Sequence, residues 1–286
     1  MGIMGLSMAQ NARKAGFEVY AFNRSDKRRQ MAQKAGLALA LHAKEVAEQS
    51  DAVVVMVTDP KAVADVLSGP VGILSGHVQG KTLIQMSTLD EKSTLHFAKE
   101  AQEKGMVFLD CPVTGSKKQV EAAQLIILAG GDRDLINKWT PFFHSIGKTV
   151  IHAGDVGKGT VLKLCMNLIV AQMTTALCES VALGKLLNLD PKKIFDVISV
   201  SPALNCGYYQ IKKEALLNDD FTPAFSLENM LKDVRFMDQA AKEKRLPLPV
   251  TQAVKYLMES AMADGLGDQD LTAISKILKS KVEVIP

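Results

Sequence analysis

The chain has 286 residues, 47% hydrophobic and 23% charged, with a net charge of +3. That length buries a full core and predicts one large or two medium domains. The weak charge and 5% aromatic content argue against a nucleic-acid binder, which needs a concentrated basic face or stacking aromatics.

In chain order, strand runs are expected at 18–22 (EVYAF), 52–57 (AVVVMV), 82–86 (TLIQM), 107–109 and 125–128 (LIIL). Amphipathic helices are expected between them at 6–15, 27–35, 61–67, 91–104 and 133–145. The alternation predicts a mostly parallel sheet covered on both faces, with apolar strands such as AVVVMV in its interior. Strand signals stop near Gly154. Residues 162–187 then read as one long, nearly all-apolar helix, and Pro191 opens another. Further helical patterns run through 226–244, 250–263 and 268–279, and Leu246-Pro247-Leu248-Pro249 breaks two of them. The apolar run at 162–178 contains Lys163, Asn167 and Gln172 and is short for a membrane span. It is expected to be a buried helix, part of its cover coming from another subunit. The predicted organisation is an α/β Rossmann-type domain at 1–154, its first strand missing, followed by an all-α domain at 155–286.

Cys111, Cys165, Cys178 and Cys206 show no paired or metal-ligand spacing and read as reduced thiols. The five histidines are dispersed, so no metal is expected. With no signal peptide in view, a cytoplasmic protein is expected, with neither a nucleic-acid nor a membrane partner.

Three segments carry chemistry. Met1-Gly2-Ile3-Met4-Gly5 leads into a helix and then a strand, and Gly2 and Gly5 fit the second and third glycines of a dinucleotide phosphate loop. The first glycine and its strand would precede Met1, so a start upstream of the recorded one is expected. At the end of EVYAF, Asn23-Arg24-Ser25 offers an arginine and no acid before Asp26. An acid there would bond a ribose 2′-hydroxyl, whereas an arginine suits a 2′-phosphate; NADP is favoured over NAD. Finally, Gly157-Lys158-Gly159 opens the long apolar helix, which carries Lys163 and, four residues on, Asn167. These two share a helix face. By itself such a lysine either faces water or sits in a polar pocket that tunes it for proton transfer.

Four motifs in order resemble the β-hydroxyacid dehydrogenase family, relatives of 3-hydroxyisobutyrate and 6-phosphogluconate dehydrogenases. Gly2-Ile3-Met4-Gly5 looks like the end of its cofactor loop. Asp110-Cys111-Pro112-Val113-Thr114-Gly115-Ser116 is similar to its substrate segment. Gly157 to Asn167 resembles its catalytic helix, and Phe225 to Asp233 its second lysine-bearing element. Residues 115–118 and 124–132 are most similar to the glyoxylate and succinic semialdehyde reductase branch, which uses NADPH.

The resemblance implies that Lys163 donates a proton and that Asn167 orients the substrate. Thr114, Gly115 and Ser116 would bind its carboxylate. Gly2, Ile3, Met4, Asn23, Arg24, Ser25, Val57, Thr58, Thr88 and Lys232 would line the cofactor. It also implies a homodimer or homotetramer joined through the helical domain. An NAD-dependent 3-hydroxyisobutyrate or 3-hydroxyacid dehydrogenase is the alternative, and a non-catalytic binding protein on the same fold the second alternative. Thr114, Ser116 and Met166 depart from the residues common in the family, and so does the segment 201–206.

Overall fold

Short apolar runs separated by glycine turns and aspartate caps fold in the first half into an α/β array. The computed structural model describes residues 2–279. Its elements are α1 (Ile3–Lys14), β1 (Tyr20–Ala21), α2 (Asp26–Lys34), β2 (Ala38–Leu39), α3 (Ala43–Gln49), β3 (Ala52–Val55), α4 (Pro60–Ser68), β4 (Thr82–Gln85), α5 (Glu91–Glu103), β5 (Val107–Asp110), β6 (Val113–Thr114), α6 (Lys117–Glu121), β7 (Leu125–Gly130), α7 (Arg133–Ile146) and β8 (Gly147–Gly154). The helices α8 (Lys158–Leu186), α9 (Pro191–Val200), α10 (Gly207–Asn218), α11 (Leu227–Glu243), α12 (Pro249–Ala263) and α13 (Ile274–Lys279) follow. Asp59, Asp90 and Asp132 each accept a backbone N–H in the first turn of α4, α5 and α7, the bond that fixes where a helix starts.

In the six-stranded sheet the path is β3-β4-β5-β7-β6, with β8 beside β7. β3, β4 and β5 run parallel, while β7 meets β5 and β6 antiparallel. Alternate residues feed two cores. Val53, Val55 and Leu83 pack with Val63, Leu67 and Phe97 on one side. Ile84, Leu109 and Ile127 pack with Met8, Ile136 and Phe143 on the other. Both faces are therefore covered, as a parallel sheet requires.

The expected interior place of AVVVMV is not what the structure shows. Among the described residues β3 has β4 as its one neighbour, and Val54 is 37% exposed. β1 and β2 form a separate parallel pair. In a dinucleotide fold the strand feeding the phosphate loop lies between these two places. The strands β2, β6 and β8 and the helices α3, α6 and α10 had no counterpart in the sequence pattern. Most are too short for a period to show, and β8 is read as polar (GKTVIHAG).

Two compact units result, dividing between Leu164 and Cys165, within α8. That is ten residues beyond the Gly154 boundary set by the last strand signal. The reason is local: the first turn of α8 is hydrogen-bonded to β5 through Thr160 and Asp110.

From Cys165 on, the second unit is helical. α8 has 29 residues and is apolar enough to cross a membrane by length and composition. Within the single chain its cover is partial, with Ile169, Leu183 and Leu186 exposed. Within this unit Lys212 and Asp270 form a buried ion pair at 2.8 Å, and Asp270 also accepts from Thr272. Cys178 is buried, which pushes its thiol up to about 12.

Asp238 on α11 accepts from Lys255 at 2.6 Å, Lys242 at 3.0 Å and Gln252. These bonds, that from Lys255 foremost, hold its carboxyl at about 2. A depressed folded value means the stabilisation is full above the unfolded carboxyl range near 4 and is lost as pH falls through about 2. Asp238→Ala is expected to cost about 1–3 kcal/mol at neutral pH. In urea unfolding followed from pH 7 to 2, the gap between variant and parent should narrow below pH 4; a constant gap would assign the loss to packing instead.

Candidate active site

Parallel strands of an open sheet present their carboxyl ends together, and ligands bind there. Val55, Gln85 and Asp110 stand in one register row at that edge. Immediately beyond it, the Val57 N–H donates to the Ser87 hydroxyl at 2.9 Å. The Gln85 amide clasps Ser87, its Oε1 accepting from the Ser87 N–H at 2.7 Å and its Nε2 donating to the Ser87 carbonyl at 2.9 Å. Val57, Thr58 and Thr88 are thus displayed on a braced edge, Thr58 donating to Asp59 at 2.8 Å.

α1 begins at Ile3. Gly2 caps it with extended backbone; the cap receives no side-chain hydrogen bond, and no acid lies in the first turn. N–H groups of a first turn have no intrahelical partners, and the helix dipole favours an anion there. Arg28 of α2 reaches this point: a Cβ on Gly2 would stand 3.8 Å from its guanidinium. Asn23, Arg24 and Ser25 follow β1. Arg24 is exposed and pairs loosely with Asp65 at 3.7 Å, and Asn23 donates to the Ser25 carbonyl at 3.4 Å. An uncapped helix start, an arginine beside it and a basic turn after β1 together fit a phosphate-bearing dinucleotide. Gly2, Ile3 and Met4 would hold its pyrophosphate.

The segment after β5 reaches Thr114 at the end of β6, then Gly115 with φ of +137°. A Cβ at Gly115 would also lie 2.7 Å from Leu125, so glycine is required there on two counts. The Ser116 N–H donates to the Gln119 side chain at 3.0 Å, and the Ser116 hydroxyl does the same. Those two donors of the loop brace α6.

Gly157, at φ +93°, turns the chain into α8. Lys163 lies a turn into this helix and is 9% exposed; Asn167, one turn on, is 3% exposed. Both members of the predicted face are buried. In the helical unit, Asn167 Nδ2 donates to Asp233 Oδ2 at 2.6 Å and Lys232 Nζ donates to Asp233 Oδ1 at 2.7 Å. The Lys232 ammonium also lies 4.8 Å from the Phe236 ring centre, within cation–π range. One buried carboxylate therefore gathers two of the predicted residues. Gln85, Ser87, Arg28 and Asp233 were not singled out as site residues. Asp233 had a signal, the Lys-Asp pair itself; Gln85 and Ser87 act through bonds that no local pattern announces.

The family described as the NAD binding domain of 6-phosphogluconate dehydrogenase matches residues 1–154. The family described as NAD-binding of NADP-dependent 3-hydroxyisobutyrate dehydrogenase matches residues 157–278. The chain is 34% identical to glyoxylate/succinic semialdehyde reductase 2 of Arabidopsis thaliana, over 98% of this chain and 78% of that protein. It is 31% identical to 2-(hydroxymethyl)glutarate dehydrogenase of Eubacterium barkeri, over 97% and 92% respectively. A solved 3-hydroxyisobutyrate dehydrogenase of Mycobacterium tuberculosis superposes with a TM-score of 0.86 at 26% identity, covering 98% of this chain and 97% of that one. Fold and matched families define an NAD(P)-dependent oxidoreductase acting on CH–OH groups. The chain belongs to the β-hydroxyacid dehydrogenase family, with 3-hydroxyisobutyrate dehydrogenase-like proteins as its structural neighbours.

Proposed function

We propose that this enzyme uses NADPH to reduce a small aldehyde acid, glyoxylate or succinic semialdehyde, to the hydroxy acid. The observation that carries the reading is the buried Lys163–Asn167 face of α8. Carbonyl reduction needs a hydride, which the nicotinamide supplies when bound, and a proton for the oxygen. An ammonium held away from water stabilises the developing alkoxide and delivers that proton; Lys163 has this role. Asn167, fixed by Asp233, donates to the substrate and keeps its position beside the lysine. Thr114, Gly115 and Ser116 take the substrate carboxylate through hydroxyl and N–H donors, the two Ser116 donors exchanging the Gln119 side chain for it. Val57, Thr58, Thr88 and Lys232 line the cofactor.

The preference for NADPH rests on the turn after β1. Arg24, with Asn23 and Ser25, binds the 2′-phosphate. Its contact with Asp65 is exposed and long, so giving it up costs little. Arg24→Ala is expected to raise the KM for NADPH about tenfold or more, the worth of one charge-assisted bond. The KM for NADH should change less than about twofold. Steady-state kinetics with both cofactors on glyoxylate, succinic semialdehyde and 3-hydroxyisobutyrate test cofactor and substrate together. Equal losses with NADPH and NADH would remove the 2′-phosphate role, and faster oxidation of 3-hydroxyisobutyrate with NAD would overturn the reductase assignment.

The same reading makes the enzyme cytoplasmic and a homodimer or homotetramer joined through its helical domain. Exposed Leu183, Leu186, Val197 and Val200 support that assembly, since runs of exposed aliphatic residues mark association surfaces.

A further inference from the structure

We propose that Asp110 is a positioning residue for the reaction, tethering the first turn of α8, and through it Lys163, to the strand that feeds the Thr114–Ser116 loop. The inference rests on the reading of Lys163 as the proton donor.

Asp110 is the last residue of β5 and has no exposed surface. Its Oδ2 accepts the Thr160 N–H at 2.7 Å, and its Oδ1 accepts the Thr160 hydroxyl at 2.8 Å. Behind them, the hydroxyls of Thr160 and Thr94 meet at 3.0 Å, both side chains buried. Thr160 gives its one hydroxyl hydrogen to the carboxylate, and the single hydrogen of Thr94 is shared between the Asp90 carbonyl at 3.1 Å and the Thr160 oxygen. The chain of bonds thus runs from α5 through α8 to β5.

A helix start is ordinarily capped by the side chain just before it. Here that place is held by Gly157, whose carbonyl accepts the Val161 N–H at 3.0 Å and which has no side chain to offer. The cap comes instead from Asp110, fifty positions away in sequence. Two glycines leave room for it. A Cβ on Gly159 would sit 2.4 Å from the Asp110 carbonyl oxygen, and one on Gly130 would sit 3.3 Å from Asp110 Oδ2. From Thr160 to Lys163 is about 4.5 Å of helical rise, so any rotation or slip of the first turn moves the ammonium directly. Continuing forward from Asp110, the chain reaches Thr114 within four residues. One carboxyl therefore ties the donor-bearing helix to the strand leading into the substrate loop.

Burial pushes the Asp110 carboxyl up to about 6, with repulsion from Glu91 adding to it, against the pull of the Thr160 and Gly157 bonds. A folded value above the unfolded one means that stability falls as pH rises through about 4 to 6, so ionised Asp110 weakens the fold at neutral pH. This is the reverse of Asp238.

An asparagine at this position keeps the tether without the charge. Its Oδ1 can accept the Thr160 N–H, while its Nδ2 donates to the Thr160 hydroxyl, which then turns toward Thr94. Alanine removes both bonds. The test compares Asp110→Ala, Asp110→Asn and Thr160→Val by steady-state kinetics with NADPH and by amide hydrogen exchange across residues 158–164. We expect Asp110→Ala to lower kcat by about 10- to 100-fold, with the KM for NADPH within about threefold, as loss of donor placement predicts. Exchange in the first turn of α8 should rise at least tenfold, while Asp110→Asn restores kcat to within about threefold of the parent. Thr160→Val should fall between the two. The proposal is overturned if a folded Asp110→Ala keeps kcat within twofold of the parent, or if Asp110→Asn is as impaired as the alanine. Should Asp110→Ala not fold, unchanged exchange and kcat in Thr160→Val would overturn it as well. Exchange reads the tether without catalysis. Failure of the proton-donor reading, shown by full turnover in Lys163→Ala, is therefore distinguishable from failure of this one.

Discussion

Replacing Lys163 with alanine is expected to reduce turnover by about 10²- to 10⁴-fold, the range a positioned acid contributes to a proton-transfer step. The side chain is 9% exposed, inside a helix whose neighbours are aliphatic. No nearby lysine on α8 can substitute: Lys158 is exposed and paired with Glu91 at 2.8 Å, and Lys185 lies six turns further on. The dissociation constant for NADPH should change by less than about threefold, because none of the residues assigned to the dinucleotide lies on α8. Arginine should not rescue. Its guanidinium stays protonated at any working pH and has a wider, planar head. Single-turnover measurement of NADPH oxidation separates chemistry from binding and product release. A Lys163→Ala enzyme with parental single-turnover rate would mean that the proton comes from elsewhere.

Gly159→Ala is expected to be nearly as damaging, by a different route. A Cβ there would meet the carbonyl oxygens of Asp110 and Leu128, each at 2.4 Å. Both are backbone atoms of the strands β5 and β7, and neither can swing aside. The start of α8 must then back away from the sheet, which breaks the Thr160–Asp110 bonds and displaces Lys163. We expect a stability loss of about 2–4 kcal/mol, in the overpacking range and above, and a kcat at least as low as that of Asp110→Ala. Gly207→Ala provides the contrast. Nothing lies within 4 Å of its would-be Cβ, and alanine favours a helix by up to about 1 kcal/mol. Thermal melting of the two variants side by side decides the matter. If Gly159→Ala melts with the parent, the close approach of α8 to the sheet is not a constraint.

The spacing of Lys163 and Asn167 was legible because a helix converts a four-residue interval into one face. The same holds for Gly157, whose positive φ follows a strand and precedes that helix. Less legible was whether the pair met water. Burial depends on what packs around α8, and no window of sequence contains it. Gln85 reads as one polar residue in an apolar strand, yet its amide holds the Ser87 backbone. Asp110 reads as the head of a family motif, and only its bonds to Thr160 show that it works on another element.

Strand edges show the same division. AVVVMV was recognisable as β from its branched side chains, but its place in the sheet follows from which strands pair with it. β6 and β2 have two residues each, too few for alternation to register. α8 was recognisable as a helix, with its start displaced four residues because Lys158 and two glycines hid the first turn.

By itself the sequence determined the two-part architecture, the glycine ahead of α1, the basic turn after β1 and the lysine–asparagine interval. Each is a short-range pattern, set by backbone periodicity and by which residues tolerate a turn. Tertiary structure alone decided that Lys163 and Asn167 are buried, that Asp233 gathers Asn167 and Lys232, and that Asp110 caps α8. The Asp110–Thr160 and Asn167–Asp233 bonds join residues fifty or more positions apart. Such partners are chosen by the packing of whole elements, and local propensity carries no record of them.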